Sequence, residues 1–195
     1  PLYFNSLRDP VLTFNKPEWH EQVGKEVEQA NNKAAIFDQS SFGKLEVKGK
    51  DACKFLNRVC ANQMDRSPGK VIYTSMLNNK GGIESDFTAI RIKDDYFRLY
   101  VGTTSVKKDI SWLKKNLNDN DNVKILDKTE DFAVIGLMGP DSIKIANQVG
   151  AKELNELKYY NFIKTSIEGR EVEAARISYV GEAGWEITCK NEYAN

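Results

Sequence analysis

Two separated segments of the sequence bring carboxylates to a glycine turn beside a strand. In the first, residues 73–92, Gly81 and Gly82 form a turn and Asp86 follows in the next strand. Glycines at such a turn let a ligand approach the backbone closely. A buried, unpaired carboxylate is costly, so a cationic or amine-bearing ligand would explain Asp86. The residues alone favour a simpler interpretation, in which Glu84 and Asp86 lie on the exposed face of an edge strand.

The second segment, residues 178–187, places Glu182 between Gly181 and Gly184, just before an apolar strand. A carboxylate at such a turn can accept two parallel N–H hydrogen bonds from a guanidine-like amide edge, each contributing about 1.5–3 kcal/mol. Tyr179 supplies a flat surface beside it. A tight turn with Glu182 facing water explains the same residues equally well. Both segments are therefore candidate parts of a small-molecule site.

Composition argues against several other kinds of chemistry. Lys and Arg together number 28, as do Asp and Glu, so the formal net charge is zero and does not favour nucleic acid or an anionic membrane. Three cysteines without metal-ligand spacing and one histidine, His20, predict reduced thiols and no metal site. No apolar run approaches the roughly 20 residues that span a bilayer. We expect no nucleic-acid or membrane partner, and a cytoplasmic location, or the mitochondrial matrix in a eukaryote.

Hydrophobic periodicity predicts the elements that position the two segments. Residues 1–16 carry Asn, Pro and Asp punctuation and predict an extended arm, followed by one domain over residues 17–195. Helices are expected from Pro17 to about Asn32, from Asp51 to Cys60, after Ser105, and from Pro140 to Val149. Strands are expected over 42–48, 71–77, 83–92, 96–102, 123–127, 132–138, 162–167, 171–179 and 184–189.

An internal repeat organises these elements. Residues 45–59 align without gaps with residues 135–149, and Gly, Asp, Lys, Asn and Val recur at matching places. Further strands follow each copy at a similar offset. The repeat predicts two degenerate strand-helix-strand-strand units whose helices pack on a shared, largely antiparallel sheet, which is an α+β fold. The alternative, that strand-Gly-x-Asp-helix is merely a common turn, leaves the α+β class unchanged.

Four separated blocks resemble a known family in their order and spacing. They are AAIFDQSSFGKLEVKGKDA, YTSMLNNKGGIESDFTAIRI, FRLYVGTTSVKKDISWL and ISYVGEAGWEI. Together they resemble the glycine-cleavage T-protein (aminomethyltransferase) folate-binding superfamily, whose fold also forms the C-terminal half of sarcosine and dimethylglycine dehydrogenases. The resemblance covers the chain from about Phe14. T-proteins usually carry two aspartates where Ser85 and Asp86 stand, so this sequence, with FGK at 42–44, looks more similar to the dehydrogenase branch.

The resemblance implies a ligand and roles for individual residues. Asp86 matches the family's essential aspartate, which contacts the reacting end of tetrahydrofolate and helps orient or deprotonate a folate nitrogen. Glu182 matches the acidic residue that grips the pterin edge, and Tyr179 matches the tyrosine beside it. The remaining pocket-lining positions fall on Tyr73, Met76, Leu77, Thr88 and Val101.

The resemblance also implies an activity, a folate-dependent transfer in which a carbon made elsewhere from a methylated glycine is captured as methylene-tetrahydrofolate. Its partners would be an FAD-containing oxidase or dehydrogenase domain or a lipoyl carrier protein, with FAD bound only if a separate N-terminal domain exists. The alternatives are a T-protein aminomethyltransferase and a non-catalytic regulatory or binding module. Because the family continues with an arginine-containing segment and a small barrel, we expect a chain truncated before that barrel, an incomplete pocket and an inactive isolated fragment.

Overall fold

The computed structural model describes residue 11 and residues 13–194, and shows an α+β fold with two antiparallel sheets. The predicted arm over residues 1–16 lies largely outside the described residues. The described helices are α1 (His20–Asn32), α2 (Ala52–Val59), α3 (Val106–Lys115) and α4 (Ser142–Gln148). The strands are β1 (Ala35–Asp38), β2 (Gly43–Lys48), β3 (Val71–Leu77), β4 (Ile83–Lys93), β5 (Tyr96–Val101), β6 (Lys124–Asp127), β7 (Phe132–Met138), β8 (Phe162–Ile167), β9 (Arg170–Ala175) and β10 (Gly184–Lys190).

The two sheets have the same spatial order of strands. The first sheet runs β3-β4-β5-β2-β6, and the second runs β8-β9-β10-β7-β1. Matching β2 with β7, as the sequence repeat requires, makes every other position correspond. The predicted duplication and the α+β class are therefore confirmed. Two details were wrong: each unit has three strands after its helix, and β1, a four-residue edge strand, was not predicted.

The prediction of one shared sheet was also wrong, because the strands form two five-stranded sheets. Both faces of each sheet are covered. Helices α2 and α3 cover the outer face of the first sheet with side chains such as Phe55 and Leu113, both fully buried. Helix α4 contributes Ala146 to the equivalent cluster on the second sheet. The inner faces meet in a third cluster that includes Val71 and Phe162. Strands covered on both faces lose the alternation that would reveal their layering in the sequence.

The two sheets are joined at one edge by the beginnings of β3 and β8. The backbone N–H of Val71 donates to the carbonyl of Tyr160 at 3.0 Å, and that of Phe162 donates to the carbonyl of Gly69 at 2.8 Å. A bridge between Lys70 and Asn161 continues the pairing. The sheets are thereby held face to face.

Each unit contains one glycine whose conformation and surroundings explain why the repeat keeps it. Gly49 has φ +135° and Gly139 has φ +119°. A Cβ at Gly49 would lie 2.0 Å from the carbonyl oxygen of Asn122, and one at Gly139 would lie 2.6 Å from that of Lys33. The second residue after each glycine donates its backbone N–H to the same carbonyl. Through this hydrogen bond, the turn holds the segment before β6 in one unit and the segment before β1 in the other.

Replacing Gly49 with alanine is expected to lower the free energy of unfolding by about 4 kcal/mol or more, since the backbone is left-handed and Asn122 leaves no room. Gly81→Ala is the matched control, because Gly81 has φ +77° but open space around it. The control should lose about 1–2 kcal/mol from conformation alone. Urea unfolding of both variants measures the difference, and equal losses would contradict the steric explanation.

Candidate functional site

A cavity of about 270 Å³ opens between the two sheets. Tyr100 belongs both to its wall and to the apolar cluster between the sheets. The first unit and its flanking loop contribute Phe42, Tyr73, Asp86, Phe87, Thr88, Tyr100, Val101 and Gly102, and the second unit contributes Tyr179 and Glu186. The cavity is therefore a cleft between the duplicated units, with aromatic walls and two carboxylates.

Asp86 is held by its neighbour across strands β3 and β4. Ser75 lies opposite Asp86 and Tyr73 lies opposite Thr88, so Tyr73 and Asp86 are diagonal neighbours on one face of the sheet. The Tyr73 hydroxyl donates a hydrogen bond to Asp86 Oδ2 at 2.6 Å. This bond raises the pKa of Tyr73 above its ordinary value. The carboxylate is exposed, whereas Thr88, two residues further along, is only 6% exposed. Asp86 thus lies where the strand passes from solvent into the protein.

The two predicted segments meet at Thr88 and Tyr179. Thr88 Oγ1 and the Tyr179 hydroxyl lie 3.4 Å apart, although the residues are separated by 91 positions in sequence. Partial burial raises the pKa of Tyr179. The segments around Asp86 and Tyr179 therefore face each other between the duplicated units.

Glu186 is a cavity residue that the sequence analysis missed. It lies in β10, is 5% exposed, and accepts a hydrogen bond from Gln39 Nε2 at 3.4 Å. Burial raises its pKa to about 7. A carboxylate in such a wall requires hydrogen-bond donors, which a ligand in the cavity can supply. The available signal was the alternation of β10, which puts Glu186 and Thr188 on one face.

Three predicted site residues lie outside the cavity lining, whereas Tyr73, Asp86, Thr88, Val101 and Tyr179 belong to it. Met76 is fully buried in the core of the first unit, on the opposite face of β3 from Tyr73. Leu77 follows a β-bulge at the end of β3 and is 36% exposed. Glu182 is half-buried in the turn before β10. The assignment of these three residues to a folate site stays a prediction.

Glu186 should make the stability of the protein depend on pH. Its folded pKa of about 7 exceeds the ordinary 4.5, so the folded state holds the proton more tightly. The associated stability is complete below about pH 4.5 and is lost as pH rises through about 7, a loss of about 3 kcal/mol. The free energy of unfolding of Glu186→Gln, measured relative to that of the unchanged protein, should therefore be higher at about pH 8 than at about pH 5. Parallel stability curves would contradict this assignment.

Within residue 11 and residues 13–194, no group of three or more His, Cys, Asp or Glu side chains could hold a metal ion. In the same residues, no helix has the length and apolar content needed to cross a membrane.

Comparison with known proteins identifies relatives along the whole chain. The family model described as "GCVT N-terminal domain" matches residues 1–195. An aminomethyltransferase from Bacillus pumilus is 32% identical over 180 residues, covering 91% of this chain and 49% of the relative. An aminomethyltransferase from Prosthecochloris aestuarii is 36% identical over 163 residues, covering 83% of this chain and 45% of the relative. The chain spans about half the length of the curated relatives it matches.

Two solved structures share the fold. The glycine cleavage system aminomethyltransferase T of Bartonella henselae superposes with a TM-score of 0.79 at 21% identity, covering 99% of this chain and 53% of that chain. A chain of the heterotetrameric sarcosine oxidase from Corynebacterium sp. U-96 gives 0.61 at 15% identity, covering 90% of this chain and 86% of the other. At these identities the likeness shows a common architecture of two antiparallel sheets with helices.

Proposed function

This chain belongs to the GCVT N-terminal domain family, and from that membership we propose that its inter-sheet cavity binds tetrahydrofolate for one-carbon transfer. The observation that carries the proposal is the composition of the cavity wall. Asp86 and Glu186 come from different units, and Tyr73 and Tyr179 supply flat surfaces in the same cleft. A flat heterocycle rich in N–H groups, such as the pterin of folate, fits carboxylates and aromatic rings arranged in this way.

Glu186 is proposed to hold the pterin edge. A pterin presents adjacent N–H donors, and a carboxylate can accept both in parallel. The family resemblance pointed to Glu182 for this role, but Glu186 is the carboxylate that lines the cavity and is buried there. Its raised pKa reflects the same burial and would fall when two donors approach, because hydrogen bonds to the charged form stabilise it.

Asp86 is proposed to act at the reacting end of the ligand. Tetrahydrofolate would supply the nucleophilic amine, and Asp86 would orient that amine and accept its proton. The hydrogen bond from Tyr73 fixes the carboxylate at the exposed end of the cavity, where an incoming donor can reach it. Thr88 and Val101 form the wall behind it. Most of the rate advantage would come from holding the amine and the electrophilic carbon together.

The carbon donor is proposed to be an aminomethyl group carried by a lipoyl protein. The names of the relatives, which are aminomethyltransferases, support this T-protein alternative better than the dehydrogenase-type function favoured from the sequence. The sarcosine oxidase chain supports the shared fold alone. The partners would then be reduced folate and a lipoyl carrier protein, and FAD would have no required role. A cytoplasmic location stays a prediction.

Supplying the full-length protein with tetrahydrofolate and each donor in turn tests this proposal. We expect methylene-tetrahydrofolate and ammonia from aminomethyl-lipoyl protein, and little product from sarcosine or dimethylglycine with an FAD-dependent oxidising partner. The reverse preference would restore the dehydrogenase-type function. Folate binding without transfer from either donor would favour a binding or regulatory module.

A further inference from the structure

A second cavity, of about 520 Å³, lies between the same two sheets and is related to the first by the internal duplication. The strand registers establish the correspondence. Leu99 lies opposite Leu45, and Ile187 lies opposite Ile135. Because residues 45 and 135 correspond in the repeat, Leu99 corresponds to Ile187. The registers of the remaining strands extend this relation across both sheets.

Most residues that line the first cavity have their counterparts in the lining of the second. Several of these pairs change chemical character, and three of them matter here. They are Tyr73 with Lys164, Thr88 with Glu173, and Glu186 with Arg98. The duplicate cavity therefore has charged groups of both signs where the first cavity has a tyrosine, a threonine and a carboxylate.

These charged groups form ion pairs with one another, and one of the pairs joins the two sheets. Arg98 in β5 is 3% exposed and forms an ion pair with Glu173 in β9 of the other sheet. Arg98 Nη2 also lies 3.3 Å from Glu46 Oε1, and its guanidinium sits 4.4 Å from the centre of the Phe132 ring. Lys164 adds a contact of 3.3 Å to Glu173 Oε1. The polar positions of the duplicate cavity are thus occupied by ion pairs with one another, and the pair of Arg98 with Glu173 joins the two sheets.

Tyr100 and Thr188 lie between the two cavities. They correspond to each other in the duplication, and their hydroxyl oxygens are 2.8 Å apart. Arg98 precedes Tyr100 by two residues on one face of β5, and Glu186 precedes Thr188 in the same way on β10. Two residues of strand span about 7 Å, so the ion pair and the first cavity lie close to this point on opposite sides of it. A change in sheet spacing at Arg98 would therefore reach the first cavity.

We propose that Arg98 is a positioning residue for ligand binding: by tying the sheets together at the duplicate cavity, it fixes the separation of the Asp86 and Glu186 walls. The ligand in question is tetrahydrofolate, so this inference rests on the proposed function. Arg98 itself need not touch that ligand. Its contribution comes through the buried ion pair with Glu173, whose loss would leave the Glu173 carboxylate with Lys164, from its own sheet, and without its partner from the other sheet.

Titration of the full-length protein with tetrahydrofolate tests the inference. Arg98→Met should weaken binding by about tenfold, because the cavity walls lose their fixed spacing. Arg91→Met is the matched control: Arg91 is 7% exposed and pairs with Asp65 at 2.6 Å, but both residues lie in the first unit. The control should bind like the unchanged protein. Equal binding by all three proteins would overturn the proposal.

Hydrogen exchange supplies a readout that does not depend on folate. Arg98→Met should speed amide exchange in both cavity walls, residues 84–88 and 184–188, more than Arg91→Met does. Similar exchange in the two variants would overturn the positioning role. Failure of the unchanged protein to bind tetrahydrofolate would instead count against the proposed function, and exchange would still decide the role of Arg98.

A paired substitution guards against loss of folding. Arg98→Met with Glu173→Gln removes both cross-sheet charges, so no unpaired buried charge is left between them. The pair should fold, bind tetrahydrofolate as weakly as the single variant and show the same faster exchange in both walls. Binding and exchange equal to those of the unchanged protein would overturn the proposal.

Discussion

Asp86→Asn is expected to lower the rate of one-carbon transfer to tetrahydrofolate by about 100-fold or more, the usual contribution of a general base. Asparagine has nearly the same shape and can still accept the hydrogen bond from Tyr73, but it cannot take up the proton of the attacking amine. Because Asp86 is exposed, the free energy of unfolding should change by no more than about 0.5 kcal/mol.

The matched control for this variant is Glu84→Gln. Glu84 shares the face of β4 with Asp86 but accepts a hydrogen bond from Asn78 Nδ2 at 2.8 Å and lies outside the cavity lining. Steady-state transfer assays at saturating tetrahydrofolate should show the loss for Asp86→Asn alone. Equal losses in the two variants would indicate a general effect of charge on this strand, and normal transfer by Asp86→Asn would remove it from the mechanism.

Glu186→Gln is expected to weaken tetrahydrofolate binding by about 100-fold, since two hydrogen bonds to a charged acceptor become weaker and one amide N–H faces a donor. The same substitution should stabilise the unliganded protein above about pH 7, because it removes a charge whose burial is unfavourable. Lower affinity together with higher stability is the signature of a buried residue kept for ligand binding.

Glu182→Gln distinguishes the two candidate carboxylates. Glu182 is half-buried in the turn before β10, whereas Glu186 is within the cavity wall. Isothermal titration of tetrahydrofolate should give nearly unchanged affinity for Glu182→Gln and a large loss for Glu186→Gln. The opposite order would return the pterin-binding role to Glu182, as the family resemblance first suggested.

The sequence predicted most elements because their patterns were local. Periodicity placed β3, β4 and α2 within a residue or two of their observed limits. The repeated Gly-x-Asp turn predicted the duplication, since the left-handed backbone at Gly49 and Gly139 constrains the residue type directly. Asp86 was a candidate because a carboxylate follows a glycine turn there, but its proposed role came from the family resemblance.

The layering of the sheets and part of the site depend on contacts between distant residues. Val71 and Phe162 belong to the apolar cluster between the sheets. In the sequence, nothing distinguishes them from apolar residues of the other clusters. Glu186 follows Trp185 within an apolar strand, and its position in the cavity depends on packing against the other sheet. Met76 lies outside the cavity lining, in the core on the opposite face of β3 from Tyr73, and a motif does not show which face of a strand a residue occupies.

Calorimetric titration of the full-length protein with tetrahydrofolate tests the central claim most directly. We predict saturable binding with one site per chain, lost or strongly weakened in Glu186→Gln and retained in Asp86→Asn. This pattern would place the pterin at Glu186 and the reacting end at Asp86. Absence of saturable binding, or binding unaffected by Glu186→Gln, would contradict the assignment of the inter-sheet cavity as the folate site.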